Sequence, residues 1–382
     1  ATGNVRGSAR TIFEQNLLGQ SCARVCPVEE LCVGKCVYNA WEREPIQIGR
    51  LQRYATDTAT QAGKPPLFTR KPRTGRRVAC IGAGPASLAF AGVLALEGTD
   101  AVILEKRAVP GGLNTTGIAP YKLKADESIA EVEWLLSVGG IEIRHGVEVG
   151  SARGPSAEEL LRDYDAVFVG IGLGADTKLG VPGEDGPGVV GATAWIEEMK
   201  LTGGVSAPTG TVLVVGGGNT AIDVAREARG LGAADVAMVY RRGASEMSGY
   251  AHELEGARKE GVRFLEHRVP VGFVRDAAGA LVAARLARTE NGKAVAGTEH
   301  DVPCELVVVA IGQSKLRSLA KDLGGVELDA RGCVVVDRAT RQTGNSQVFA
   351  GGDCINGGKE VVNAVADGRD AARALLARWA AG

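Results

Sequence analysis

Charge is balanced almost to zero in this sequence: 44 Lys and Arg stand against 45 Asp and Glu, a formal net charge of −1 over 382 residues. A polyanion needs a positive face to draw it in, so nucleic acid is not an expected partner. No apolar run approaches the roughly 20 residues that a membrane helix requires, and the N-terminus lacks the basic-then-apolar layout of a secretory signal. There are 14 prolines and no Gly-X-Y period, which excludes a collagen-like chain. Histidine is scarce: His145, His252, His267 and His300 are isolated and read as surface or packing residues, so the sequence offers no convincing catalytic acid or base. Between residues 71 and 382 no two cysteines are closely spaced, which removes a redox dithiol there. A soluble cytoplasmic enzyme without a membrane partner is the expectation.

Glycine, by contrast, is plentiful. Its 54 residues are about twice the average of roughly 7% and point to many tight turns around bound groups. The length suits two or three domains at roughly 150 residues each. The chain starts at Ala1 without an initiator Met, which suggests a processed or trimmed form of something longer. Of the eight cysteines, Cys22, Cys26, Cys32 and Cys36 fall close together, while Cys80, Cys304, Cys333 and Cys354 are scattered in apolar patterns. The scattered four read as small buried hydrophobes. The cluster, in a chain without a secretory signal, favours a metal site over a disulfide framework.

Residues 1–60 read as helical, with Leu51, Tyr54 and Ala55 at helical spacing. Residues 61–77 bring Lys64, Arg70, Lys71, Arg73, Arg76 and Arg77 with three prolines and no acidic residue, the pattern of a basic extended linker. Two copies of one pattern follow. An apolar strand at 78–81 runs into Gly82-Ala83-Gly84-Pro85-Ala86-Ser87, a helix, and a strand ending in Glu105 and Lys106; a second at 212–215 runs into Gly216-Gly217-Gly218-Asn219-Thr220-Ala221, a helix, and a strand ending in Arg241-Arg242. Each copy closes with a buried strand ending in Gly, at 166–172 and at 306–312, the latter carrying Ala310 and Gly312. This is an internal duplication of a dinucleotide-binding unit. In each, the first Gly allows the tight turn, the second lets the backbone approach a pyrophosphate, and Ser87 or Ala221 is small enough for helix packing beside a positive helix N-terminus.

The strand tips separate the ligands. Glu105 lies 23 residues after Gly82, where a carboxylate accepts hydrogen bonds from both ribose hydroxyls, as FAD or NAD requires. Arg241 and Arg242 stand at the matching place in the second copy, where guanidiniums bind a 2′-phosphate. That favours NADPH over NADH, although arginine also stacks on adenine. Gly111, Gly112 and Leu113 let the backbone pass close to the rest of a flavin. Near the C-terminus an apolar strand ends in Gly351-Gly352-Asp353 and leads to a helix starting near Glu360 and Val361. The Asp suits a ribityl hydroxyl, and the helix N-terminus suits the negative charge of a reduced flavin ring.

With these motifs the whole chain resembles the flavoproteins that carry two dinucleotide-binding domains and feed electrons through Fe-S clusters: the glutamate synthase small subunit, the large subunit of NADH-dependent ferredoxin:NADP oxidoreductase, and the N-terminal half of dihydropyrimidine dehydrogenase or its separate bacterial small subunit. Dihydropyrimidine dehydrogenase is favoured by the five residues between Cys26 and Cys32, by the 42–57 stretch, and by Gln52, which stands where that family uses a glutamine as a cluster ligand. The resemblance implies that Cys26, Cys32 and Gln52 are three ligands of one [4Fe-4S] cluster and Cys36 a ligand of another, with Cys22 a bystander. The remaining ligands come, in that family, from an upstream cysteine run that this sequence does not include, so the clusters are expected to be incomplete here; a regrouping of all four cysteines around one cluster or Zn²⁺ is the alternative. It further implies an FMN-containing pyrimidine-reducing partner or another electron-accepting subunit. The expected fold is α/β: two Rossmann-like domains, FAD-binding at 71–188 and 304–382 and NAD(P)H-binding at 189–303, one inserted in the other and preceded by a small α-helical Fe-S-type domain at 1–70. Gly180-Val181-Pro182-Gly183 and Pro303-Cys304 are the expected two-stranded hinge.

Overall fold

The computed structural model describes residues 3–61, 64, 66–203, 208–315, 319 and 322–381. Its strands are β1 (Arg77–Ile81), β2 (Asp100–Glu105), β3 (Ile141–His145), β4 (Ala166–Val169), β5 (Val189–Gly191), β6 (Thr211–Val215), β7 (Asp235–Val239), β8 (Arg263–Leu265), β9 (Arg268–Arg275), β10 (Leu281–Glu290), β11 (Lys293–Ala294), β12 (His300–Pro303), β13 (Leu306–Val309) and β14 (Val348–Ala350). The chain divides into two compact units, one of Ala1–Thr115, Ala125–Leu173 and Lys315–Gly382, the other of Thr116–Lys124 and Gly174–Ser314.

The first unit is built on a parallel sheet of order β14-β4-β1-β2-β3. Strands covered on both faces read as continuous apolar runs, and β4 is buried at all four positions. The helix Pro85–Leu96 is apolar nearly all round and buries nine residues. The helix Val361–Ala381 lies against it; at Gly368 a Cβ would run into the carbonyl oxygen of Ala86, so only glycine permits that approach.

The N-terminal helices Val5–Gln15, Gly19–Val25, Val37–Ala40 and Ile48–Thr60 belong to this same unit. Leu17 and Leu18 join the sheet's own core, and the Phe13 ring meets Trp134 at 4.2 Å between centroids. The helix Ile48–Thr60 turns Gly49, Ala55, Thr56 and Ala59 inward, whereas Leu51 and Tyr54 are 59% and 63% exposed. Apolar spacing identified the helix but not its buried side. The basic segment after it is largely exposed, yet its cations are engaged: Arg70 and Arg73 pair with Asp100, Lys71 with Glu97, and Arg76 and Arg77 stack on Trp379 and Tyr164.

The second unit repeats the plan in a parallel sheet of order β5-β13-β6-β7-β8, with an antiparallel sheet in which β10 pairs with β9, β11 and β12. Its boundaries differ from those expected. Strand β13 pairs with β5 and β6, so the chain leaves this unit after Ser314 and not at 304. The two chain segments meet where Gly174 donates to Ser314 O at 2.8 Å, Ser314 to Ala175 O at 2.8 Å and Thr177 to Gly312 O at 2.9 Å. Gly180 and Val181 instead close a local turn on the Glu184 carboxylate, and Pro303 pairs with Ala283 inside the antiparallel sheet. Among the described residues no helix is long and apolar enough to cross a membrane.

Candidate nucleotide and cluster sites

At the end of β1 the Gly82 amide donates to Leu104 O at 2.8 Å with φ +87°, and a Cβ there would stand 2.8 Å from Gly170 O. Only glycine makes this turn. Gly84 is the N-cap of the helix Pro85–Leu96, with Pro85 in the first turn and no side chain capping it. First-turn amides have no intrahelical partner, so the turn of Gly84, Ala86 and Ser87 presents donors to an anion. Glu105 is buried and accepts from the Ala83 amide at 2.7 Å and the Arg107 amide at 2.8 Å. A carboxylate has about four acceptor positions, which leaves room for two hydroxyl donors.

The other residues expected around a flavin converge on this turn. The Gly111 amide donates to Ala83 O at 2.8 Å, and a Cβ on Gly112 would lie 2.9 Å from the Gly84 Cα. Leu113 opens the helix Leu113–Thr116. A Cβ on Gly352 would be 3.2 Å from that of Ala86, which brings the C-terminal turn to the same helix start. Asp353 accepts from the Lys359 amide at 3.1 Å; burial raises its carboxyl above the usual range, opposed by that amide and by Lys315. Glu360 precedes the helix that begins at Val361. Lys106 is exposed; the backbone amide held by Glu105 belongs to Arg107.

Sequence reasoning missed Asp367. Its Oδ2 accepts from the Gly352 amide at 3.0 Å and its Oδ1 from Arg341 at 2.8 Å, so it fixes the turn that carries Asp353. Its partners lie 26 and 15 residues away, so nothing local in the sequence marked it.

The second turn has the same construction. Gly216 donates to Val239 O at 3.1 Å, and a Cβ there would collide with Ala310 O; the Ala310 amide donates in turn to Val215 O at 2.8 Å. Gly218 caps the helix Asn219–Gly230, again without a side-chain cap. Thr220 is exposed and Ala221 buried. Asn219 holds the Tyr250 amide through its side-chain oxygen at 2.9 Å. Gly312 accepts from Thr177. Beyond β7 both arginines are exposed but differ in their partners: Arg242 donates to the Tyr240 hydroxyl at 2.8 Å and lies 3.7 Å from Glu246, whereas Arg241 makes no ion pair among the described residues.

The cysteine region is less complete. Cys26 ends the helix Gly19–Val25 and Cys36 caps the helix Val37–Ala40. Cys22 hydrogen-bonds Cys26, which lowers the Cys26 thiol and, together with burial, raises that of Cys22. Gln52 donates its amide to Gly19 O at 3.0 Å. Among the described residues no group of three or more His, Cys, Asp or Glu is placed to hold a metal ion. All eight cysteines are free thiols, and Cys80, Cys304, Cys333 and Cys354 are buried as expected.

The family described as pyridine nucleotide-disulphide oxidoreductase matches residues 76–368. The chain belongs to that family. Its two parallel-sheet units are accordingly the FAD- and NAD(P)-binding Rossmann-type domains of a pyridine nucleotide oxidoreductase, and the uncapped glycine turns fit those groups. Residues 1–64 match the 4Fe-4S cluster domain described as dihydropyrimidine dehydrogenase domain II. The chain is 36% identical to the glutamate synthase [NADPH] small chain of Escherichia coli over 98% of its own length and 83% of that protein. It is 34% identical to the NAD-dependent dihydropyrimidine dehydrogenase subunit PreT of the same organism, covering 97% and 84%. Among solved structures, thioredoxin reductase of T. acidophilum superposes with a TM-score of 0.66 at 22% identity over 80% of this chain and 99% of that one. Mycobacterium tuberculosis FprA in complex with NADPH gives 0.63 at 20%, over 81% and 85%. These two likenesses concern the fold.

Proposed function

We propose that this oxidoreductase is the electron-input subunit of a larger enzyme, taking hydride from NADPH onto FAD and passing electrons through [4Fe-4S] clusters to a partner that reduces uracil or thymine to the 5,6-dihydropyrimidine. The observation that carries the reading is the pair of uncapped glycine turns, the first joined to the Glu105 carboxylate through the Ala83 amide and the second followed, just beyond β7, by Arg241, which makes no ion pair among the described residues. Bound FAD supplies a hydride acceptor that can release its electrons singly. The chain's own work is to hold and orient. The start of the helix Pro85–Leu96 would receive a pyrophosphate, Glu105 would take the ribose hydroxyls, and Asp353 with the start of the helix Val361–Ala381 would hold the rest of the flavin. On the second turn the helix Asn219–Gly230 receives the nicotinamide dinucleotide, and Arg241 takes its 2′-phosphate.

The pyrimidine-reducing partner is supported by the match of residues 1–64, the Cys26–Cys32 spacing and Gln52. A second reading, an electron-input subunit of glutamate synthase, is supported by the 36% identity to that small chain. Anaerobic titration with NADPH tests the common part: a yellow protein must bleach. Recovery of the partner from the native source then separates the readings, by whether the assembled enzyme oxidises the nicotinamide in the presence of uracil or only while forming glutamate.

A further inference from the structure

The loop that follows β7 in the second unit carries an anion of its own. Both carboxylate oxygens of Glu246 are engaged: Oε2 accepts from the Gly243 amide at 3.1 Å, and Oε1 stands 3.7 Å from the Arg242 guanidinium. Arg242 donates to the Tyr240 hydroxyl at 2.8 Å, and that hydroxyl donates to Glu246 O at 3.0 Å, which closes a ring around the guanidinium. The next amide, that of Ala244, donates to Glu266 at 2.9 Å. A guanidinium and two successive backbone amides are donors of the kind that a phosphate seeks. Here carboxylates of the chain already occupy them.

This loop lies on the second glycine turn. The Gly249 amide donates to Gly217 O at 2.9 Å, and a Cβ on Gly217 would stand 2.7 Å from the Tyr240 ring and 2.9 Å from Met247. The ring of Tyr240, Arg242 and Glu246 and the open start of the helix Asn219–Gly230 therefore share one end of the sheet. Arg241 is placed differently. Its carbonyl is fixed by the Thr289 hydroxyl at 2.6 Å, its stem passes beside Gly292, and its guanidinium makes no ion pair among the described residues.

We infer that Glu246 sets the preference between the two nicotinamide nucleotides: it takes the place of a 2′-phosphate on Arg242 and on the Gly243 amide, so that Arg241 alone is left to meet that phosphate. The inference rests on the reading of the second turn as the nicotinamide nucleotide site with the adenosine ribose at this strand tip. A 2′-phosphate must displace the carboxylate from its donors or do without them, and in both cases a second negative charge competes for one guanidinium. A nucleotide with a free 2′-hydroxyl meets neither cost, which is how a repulsive element gives specificity. Exposed ion pairs are individually weak, but the Gly243 amide holds this carboxylate in position. Glu246 is a specificity residue that acts through Arg242.

Calorimetric titration of the FAD-loaded full chain with 2′,5′-ADP and with 5′-AMP, which differ only in the 2′-phosphate, reads this preference without turnover. Glu246→Gln removes the charge and keeps an acceptor for the Gly243 amide; it should bind 2′,5′-ADP about three- to tenfold more tightly than wild type. Its affinity for 5′-AMP should be unchanged, which also shows the site to be intact. With Arg242→Ala already in place, the same substitution should gain less than about twofold, because the pair is coupled. An unchanged ratio of the two affinities in Glu246→Gln overturns the inference, as does equal tightening of both ligands or a gain that persists in full without Arg242. The wild-type ratio judges the separate choice of NADPH over NADH. Binding of neither ligand to wild type would remove the nucleotide site, and the role of Glu246 with it.

Discussion

Ser21 donates its hydroxyl to the Glu131 carboxylate at 2.5 Å, joining the helix that ends at Cys26 to the helix Ala125–Leu136. The Gln20 amide at 2.7 Å and the Ser21 amide at 3.1 Å bind the same carboxylate. The helix Gly19–Val25 has no side-chain cap of its own at Leu18, so Glu131 supplies the cap from a remote part of the chain. At its other end Arg24 bridges Asp57 at 2.8 Å and Glu127 at 3.1 Å. The cysteine-bearing helix is held at both ends by carboxylates that lie outside it.

A pH dependence follows. Burial raises the Glu131 carboxyl to about 7, against the opposing pull of Ser21 and the Gln20 amide. An unfolded glutamate titrates near 4.3, so between those values the folded state binds more protons, and stability falls as pH rises through the window. The loss attributable to Glu131 is on the order of 2–3 kcal/mol. Glu131→Gln removes the titration, and its denaturant-unfolding free energy should lose less than wild type between pH 5 and 8. Parallel curves for the two proteins would remove Glu131 from the account.

Asp367 supports a second prediction. Asp367→Ala leaves the Gly352 amide and Arg341 without their acceptor in a buried setting, a change that costs about 3–5 kcal/mol. The turn that bears Asp353 would loosen, so the variant should emerge from gel filtration with a lower flavin-to-protein ratio as well as a lower Tm. Asp367→Asn keeps an acceptor for Gly352 and should fall between the two. Full flavin retention in the alanine variant would deny Asp367 its role at the turn.

Which of these features the sequence disclosed depends on their range along the chain. The two strand–glycine–helix turns were legible because a tight turn and an open helix start are decided within six residues, and the place of Glu105 at the end of β2 was legible because the span from Gly82 is set by one helix and one strand. Strand β13 was read as the closing strand of the second copy, yet the boundary expected at 303/304 left it outside that domain, because a buried parallel strand reads as a plain run of valines whichever sheet it joins. Glu131 and Asp367 were missed for another reason. Their partners are far away in sequence, and an Asp or Glu on a helix face carries no local mark of being a cap or a brace.

Arg241 and Arg242, adjacent and identical in sequence, should behave differently. Arg242 is engaged by Tyr240 and Glu246, whereas Arg241 makes no ion pair among the described residues. Charge-assisted hydrogen bonds are worth about 1.5–3 kcal/mol, so Arg241→Ala should weaken NADPH about ten- to a hundredfold while leaving NADH nearly unchanged. Arg242→Ala should affect the two nucleotides alike. Binding titrations with both nucleotides decide it: equal losses for Arg241→Ala would indicate stacking in place of phosphate recognition, and a wild-type preference for NADH would overturn the choice of NADPH.

Iron content tests the cluster assignment most directly. A [4Fe-4S] cluster is held by four ligands; on the assignment proposed here Cys26, Cys32 and Gln52 belong to one cluster and Cys36 to another. Among the described residues no three His, Cys, Asp or Glu stand around a metal position. The polypeptide of residues 1–382 should therefore take up FAD and be reduced by NADPH yet retain little iron after anaerobic reconstitution. Electron delivery to one-electron acceptors should be correspondingly poor. Analysis of iron and sulfide per flavin gives the answer: close to four irons per chain, abolished by Cys22→Ser, would mean that the four thiolates do regroup around one cluster and that Cys22 is a ligand after all.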